Sequence, residues 1–387
     1  MILHDMISFE MLRLLWWGLM GFLLIAFALT DGFDMGVGAL LPFVAKTDVE
    51  RRVVINTVGP VWEGNQVWFI LGGALIFAAW PPLYAISFSG FYFAMFLILG
   101  ALILRPVAFK YRSKREDPRW RERWDWALFI GGALPALLFG VAVGNVLLGV
   151  PFHLTPDLMA VPDASPLMRF LGLLRPFALL CGVVSLAMLV MHGAAWIVVK
   201  TTGEVQARAR WFGGRAALIA VLGYVLAGVW MWLGVTGYHY PGAVPHDGPS
   251  NPLFHEVVRA GSWLEAYQTR PWIVIAPILG IGGCLWAWFA LQNGRELLAM
   301  LGSKLAIFGM ISSVGLVMFP VILPSSTAPG SSLTVWNASS SHLSLFVMLV
   351  AACFFLPLII LYTAWVYRVL WGKVTPEEVQ DPESHSY

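Results

Sequence analysis

Long apolar runs, broken by short charged or Pro/Ser-rich segments, set the pattern of this chain. Residues Gly64 to Leu104 contain no Asp, Glu, Lys or Arg over 41 positions, and Leu305 to Tyr367 contain none over 63. A membrane-crossing helix needs about 20 apolar residues, so each run holds two spans. The first divides at "AAWPPLY" and the second at "PSSTAPGSSLTVWNASSS", both of turn and loop composition. Single spans are predicted near 12–30, 126–149, 176–199, 216–238 and 271–293, for nine in all. An odd number places the two termini on opposite sides of a bilayer.

Basic residues choose which side is which. "FKYRSKREDPRWRERW" carries seven Lys or Arg between the third and fourth spans, and the segments Lys46–Arg52 and Lys200–Arg215 are also basic. The alternate loops 150–168 and 324–341 carry none. This predicts an N-terminus outside, a cytoplasmic C-terminus, a long outer (periplasmic) loop at 238–270 and a cytoplasmic tail at 372–387. The expected fold class is all-α integral membrane, one polytopic domain with no visible tandem repeat.

Composition agrees. The 387 residues are 59% hydrophobic and 12% charged, with a mean hydropathy of +0.75, against roughly 25% charged in soluble domains. A net charge of +2 without a basic stripe gives no reason to expect a nucleic-acid partner. Cys181, Cys284 and Cys353 stand singly in apolar segments, which reads as core packing rather than disulfide or zinc chemistry. The start, "MILHDMISFEMLR", lacks a basic n-region and a small-residue cleavage site, so the first run reads as a retained helix.

The informative residues are the polar ones inside spans. Asp31 and Asp34 in "TDGFDMGVG" close the first predicted span one helical turn apart, on one face. They are either a hydrated helix end or a polar path into a bundle, and Gly32, Gly36 and Gly38 favour close packing there. Glu63 in "GPVWEGNQVW", with Asn65 and Gln66 beside it, opens the second span at the same side. It is a helix-dipole partner or a third member of an acid cluster that carries protons. Arg105 in "LILRPVAF" either snorkels to the interface or pairs with a buried carboxylate, and Pro106 is expected to break the local backbone. Trp68, five residues after Glu63, is turned from it by a net ~140° on a helix, so it can face another surface such as lipid. Most of the 19 Trp read as interface anchors. His192 is the one His clearly inside a span, without an obvious facing partner at similar depth to hold a heme. The His residues of the outer loop are irregularly spaced among prolines, which suggests a structured lid rather than a metal site.

"DGFDMGVG", "GPVWEGNQVW", "GGALIFAAWP", "FSGFYFAM", "RPVAFKYRSK", "WDWALFIG", "GVAVGNVLLGVPF", "MFPVILPSST", "LTVWNASSS" and "LYTAWVYRV" resemble the signature stretches of subunit II of cytochrome bd-type quinol oxidases. They run from about Leu12 to Trp371. The resemblance implies a heme-free, nine-span subunit, the pseudo-symmetric partner of a larger subunit I that ligates two hemes b and one heme d and carries the quinol-oxidising loop. It implies a complex in the bacterial cytoplasmic membrane that oxidises quinol, reduces dioxygen to water with cytoplasmic protons and generates a proton-motive force without pumping. A small single-helix accessory subunit and a structural quinone within subunit II also belong to this picture. Asp34 and Glu63 match positions proposed in the family for a proton path, with Asp31 as a further candidate. Glu63 departs from an expected Asp and reaches one methylene further. Trp68 matches a proposed mouth of a dioxygen channel and Arg105 a position where that channel nears subunit I. Two other readings compete on the residues alone. A proton-coupled transporter would be expected to show broken spans near the midplane in related halves, and a structural scaffold would have no use for an acid cluster.

Overall fold

The first helix does not stop at the two aspartates. In the computed structural model, which describes residues 6–161, 165–241, 246–254 and 257–381, α1 runs from Phe9 to Val44, 36 residues. That is about 54 Å, well beyond a hydrocarbon core of about 30 Å. Ser8 caps its start by accepting a hydrogen bond from the Met11 N–H. The run "GVGALLPFV" after the acids is apolar and helix-competent, so Asp34 lies ten residues before the end of α1 instead of at it.

Helix α2 (Asp48–Val58) follows as a short amphipathic segment. Thr47 and Glu50 form a capping box. Its apolar side buries Val54, Ile55 and Val58. Its polar side enters a charge network with Arg112 and with Arg121 and Asp125 of the helix Pro118–Leu148: Arg51 to Asp125 at 2.8 Å, Arg112 to Asp125 at 2.5 Å, Arg112 to Asp48 at 2.9 Å and Arg121 to Asp48 at 2.6 Å. Glu50 pairs with Arg208 at 2.5 Å. Partial burial raises the Glu50 carboxyl. Hydrogen bonds from Arg208 and from the backbone N–H groups of Lys46 and Thr47 outweigh this and hold it below its ordinary 4.5. The folded state thus binds this proton less tightly than the unfolded chain. The stabilisation is complete above the ordinary carboxylate range and is lost as pH falls through the depressed folded value. The pair is about a quarter exposed, so solvent screens it and the effect is small. Glu50→Gln is expected to flatten the acid-side fall of Tm below about pH 5; an unchanged slope would remove Glu50 from the acid response.

The run turns at "AAWPPLY" as expected, by a sharp bend between helices. Helix α3 (Trp62–Ala79) is bent by 119° from α4 (Pro81–Gly90), and α5 (Tyr92–Tyr111) follows. Pro81 and Pro82 occupy the first turn of α4, where a missing N–H costs nothing, so the turn is made by starting a further short helix. Pro106 likewise lies within α5 and does not end it.

The remaining helices are α6 (Pro118–Leu148), α7 (Pro166–Leu173), α8 (Pro176–Lys200), α9 (Gly203–Gly234), the one-turn α10 (Ala266–Thr269), α11 (Ile275–Gln292), α12 (Glu296–Met318), α13 (His342–Val369) and α14 (Pro376–Gln380). Among the described residues, eight helices are long and apolar enough to cross a membrane, or nine with the bent α3–α4 pair. Several extend past the predicted spans because charges such as Arg210 and Arg215 sit within helical ends.

Helix α1 is central and packs on α3, α6, α8 and α12; α8, α9, α11 and α12 form a second group beside it. The α1–α8 crossing is set by glycine. A Cβ on Gly36 would overlap the Leu189 carbonyl oxygen, and one on Gly193 would overlap the Gly36 backbone. Helix α13 is the opposite case. Leu345 is its one buried residue among those described, while Val347, Phe354, Leu361 and Trp365 stand exposed. Cys284 is a core residue, but Cys353 lies on this exposed face.

The two loop segments share one end of the bundle and are well packed. Segment 324–341 buries Leu333, Val335 and Trp336, with Ser332 Oγ accepting from Ser325 N at 2.9 Å. Segment 238–270 contains a hairpin of β3 (Thr236–His239) and β4 (Val258–Ser262). Two-residue strands β1 (His153–Leu154) and β2 (Ala160–Val161) precede it, and β5 (Val321–Leu323) pairs with β6 (Leu333–Thr334) after it. Arg13, fully buried, ties the two segments together. Its guanidinium donates to Ser339 Oγ (2.8 Å), the His246 carbonyl, the Gly248 carbonyl (2.9 Å) and Ser250 Oγ (2.8 Å). His246 stacks on Trp336 at 4.2 Å and lies 2.9 Å from Glu10. His255 and the end of the tail, 382–387, lie outside the described residues.

Candidate functional site

The buried charges converge where α1, α3, α5 and α13 meet. Asp31 is 1% exposed and Arg105 is 2% exposed. Arg105 Nη1 donates to Asp31 Oδ2 at 3.0 Å and Nη2 to Oδ1 at 2.8 Å, a bidentate pair. This joins α1 to α5 across 74 positions of sequence. The guanidinium stem has room because Gly131 on α6 faces it: a Cβ there would lie 2.8 Å from Arg105 Cγ. Arg105 is therefore a buried partner for carboxylates on its own chain, not a snorkelling residue.

Asp34, one turn on, is held differently. Its Oδ2 lies 3.7 Å from Arg105 Nη2 and accepts from Asn65 Nδ2 at 2.8 Å. Tyr367 Oη in turn donates to Asn65 Oδ1 at 2.5 Å. The other oxygen, Asp34 Oδ1, has no protein hydrogen-bond partner although it is buried. Two carboxylates share one guanidinium, so the cluster carries one negative charge when both acids are ionised and is neutral when one is protonated. Asp31 has both oxygens committed. Asp34 is the group with an oxygen free to take and release a proton.

Glu63 is not part of this cluster. It opens α3 on an exposed face, while Asn65, two residues later, points inward to Asp34. Trp68 is turned from Glu63 as expected, but in the opposite sense to the lipid-facing expectation: it is 4% exposed and sits edge-on behind Phe22, whose ring is 6.1 Å away. His192 is fully buried, with Nδ1 2.8 Å from Ser303 Oγ and Nε2 3.1 Å from the Leu29 carbonyl. Both ring nitrogens are engaged by protein, so the residue does not fit a heme ligand. Among the described residues, no group of three or more His, Cys, Asp or Glu is placed to hold a metal ion.

Sequence reasoning named Asn65 only as an added polar group and passed over Tyr367 and Arg13. Asn65 had a signal, a polar side chain two residues into a predicted span. Tyr367 had none, since a tyrosine at the end of an apolar run reads as an interface anchor.

The family model for cytochrome bd terminal oxidase subunit II matches residues 12–370. The chain belongs to that family. It is 46% identical over 376 residues to cytochrome bd-I ubiquinol oxidase subunit 2 of Escherichia coli (strain K12), covering 97% of this chain and 98% of the relative. It is 31% identical to cytochrome bd ubiquinol oxidase subunit 2 of Bacillus subtilis (strain 168), over 94% and 97% of the two chains. The fold matches a chain of the bd oxidase structure from Geobacillus thermodenitrificans with a TM-score of 0.65 at 14% identity, covering 94% of this chain and 99% of that one. Membership of this subunit II family sets the transporter reading aside.

Proposed function

We propose that the chain is the heme-free second subunit of a bacterial quinol oxidase, embedded in the cytoplasmic membrane beside a heme-bearing subunit I. Its part in turnover is to pass cytoplasmic protons through Asp34. The observation that carries the proton role is the unpartnered Oδ1 of Asp34 beside an arginine already committed to Asp31. The loop charges support an N-terminus outside, with loop 238–270 periplasmic and the tail after 372 cytoplasmic. The exposed α13 supplies apolar surface for lipid or for a pseudo-symmetric partner. The hemes b and d supply the electron and oxygen chemistry and belong to subunit I in this reading. His192, buried within α8, has both ring nitrogens engaged by protein and does not fit a heme. The small accessory subunit and a structural quinone stay part of the proposal on family grounds.

Within it, Asp31 and Arg105 are positioning residues for Asp34. Glu63 serves at most as an outer proton collector. For dioxygen, the buried Trp68 lies behind the lipid-side Phe22, so gas dissolved in lipid passes Phe22 first and reaches Arg105 afterwards. Phe22→Ala should speed dioxygen binding to the reduced complex in flash photolysis, and Trp68→Ala should do the same. Unchanged rates in both would move the gas route elsewhere.

The deciding experiment is Asp34→Asn in the assembled complex. Asn keeps the shape and the Asn65 contact but cannot carry the proton. Removing a positioned acid–base group typically costs about 10²–10⁴ in rate, so quinol-driven oxygen consumption is expected to fall by at least about tenfold with heme content unchanged. Glu63→Gln should cost much less. Normal turnover and normal proton uptake in Asp34→Asn would reject the proposal.

A further inference from the structure

Asp34, whose Oδ1 has no protein partner, borders a space. Between α1, α2, α5 and α6 lies a cavity that gives the centre of a water molecule about 10 Å³ of room, about the minimum needed to hold one. Its ionisable lining groups are Asp34 and Arg105; the rest of the described lining is apolar, with Val54, Ile55 and Val58 of α2 closing the far side. From Asp34 to Leu41, the last α1 residue on the wall, is seven residues, or about 10 Å along the helix. The cavity therefore lies between the buried acid and the underside of α2, and its described lining includes no residue of α3.

We propose that this cavity is a water site and that protons reach Asp34 through it from beneath α2. The inference rests on the reading of Asp34 as the proton-carrying acid and adds the route that feeds it. A water here has an acceptor in Asp34 Oδ1 and donors in the Arg105 guanidinium, within the two to four polar partners that buried waters need. A proton arriving on that water as hydronium bonds to Oδ1, leaving neutral water and a carboxylic acid; bulk solvent is the source of the proton. Helix α2 is built to serve as a lid. Its first turns are anchored by Asp48 to Arg112 and Arg121, by Glu50 to Arg208 and by Arg51 to Asp125. Its last turn, which covers the cavity, is held by apolar contact and by the Trp196 Nε1 bond to the Thr57 carbonyl at 3.0 Å. The anchored and covering portions are thus separate parts of one short helix.

The test uses the intact oxidase in membranes. Val58→Leu adds one methylene to the cavity wall, and Gly72→Ala on α3, outside the lining, is the control. A high-resolution structure of the wild-type complex should show a water within hydrogen-bond distance of Asp34 Oδ1. Val58→Leu should displace it and slow proton uptake several-fold, with hemes retained, while Gly72→Ala keeps the water and the uptake rate. If Val58→Leu fails to assemble, Val54→Ile adds a methylene to the same wall. A dry cavity in the wild type would overturn the proposal. So would normal uptake in a variant whose structure shows the cavity filled. If Asp34→Asn blocks uptake while these fillings do not, Asp34 carries protons but is fed from another side; if Asp34→Asn is also normal, the reading of Asp34 itself falls.

Discussion

Arg105→Met is expected to abolish accumulation of the assembled oxidase. The substitution leaves Asp31 buried without its two guanidinium bonds and removes the cation that, among the described residues, lies beside Asp34. Breaking a buried ion pair by removing one partner costs about 3–5 kcal/mol, a large part of a typical stability of about 5–15 kcal/mol. Arg105→Lys should recover only a fraction, because an ammonium cannot make the two parallel bonds that join α1 to α5. The double variant Arg105→Met with Asp31→Leu should recover more than Arg105→Met alone, since it removes the stranded charge. The measurement is the reduced-minus-oxidised heme absorbance per milligram of membrane protein, alongside immunodetection of the chain. Wild-type amounts of complex in Arg105→Met would show that the pair does not hold the bundle.

Gly36→Ala is expected to be nearly as damaging. Its new methyl group would fall on the Leu189 carbonyl, which is backbone and has no rotamer to yield. Helices α1 and α8 must then separate along their crossing, and both pack on α6 and α12 as well. Overpacking a core typically costs about 1–3 kcal/mol, and a rigid backbone neighbour puts this site at or above the upper end. By contrast, Gly72→Ala on α3 meets nothing within 4 Å and should be silent. Thermal inactivation of the two solubilised variants, compared with wild type, separates them. A Gly36→Ala complex as stable as Gly72→Ala would contradict the close crossing.

Spans were legible because hydropathy is a property of single segments. Charge-free runs located each crossing helix, although the bounds were short wherever a charged residue sat inside a helical end, as at Arg210 and Arg215. The break at Pro81 was visible, but not its angle, since Pro-Pro is equally at home in a turn and in the first turn of a helix. "PSSTAPGSSLTVWNASSS" divides two spans as its composition indicates, but its packing was not legible. Ser325, Ser331, Ser332, Thr334 and Ser339 are buried, and Ser325 Oγ donates to the Phe152 carbonyl, a partner that a local pattern cannot identify. The candidate site was half legible. A carboxylate inside an apolar run announces itself, so Asp31, Asp34 and Arg105 were found. Their pairing was left open because it depends on contacts 74 positions apart. The inward turn of Asn65 and Trp68, and the outward turn of Glu63, depend on which face of α3 meets α1. The nearly uniform apolarity of that helix does not disclose the face.

The order of the charges along the chain bears on how the protein is made. The two acids of α1 emerge from the ribosome first, and each costs about 2.5–3.5 kcal/mol at the centre of a helix exposed to lipid. Their arginine is 74 residues behind. At about 5–20 residues per second, it follows after roughly 4–15 seconds. The pair that joins α1 to α5 therefore cannot close until 74 further residues have been added to the chain.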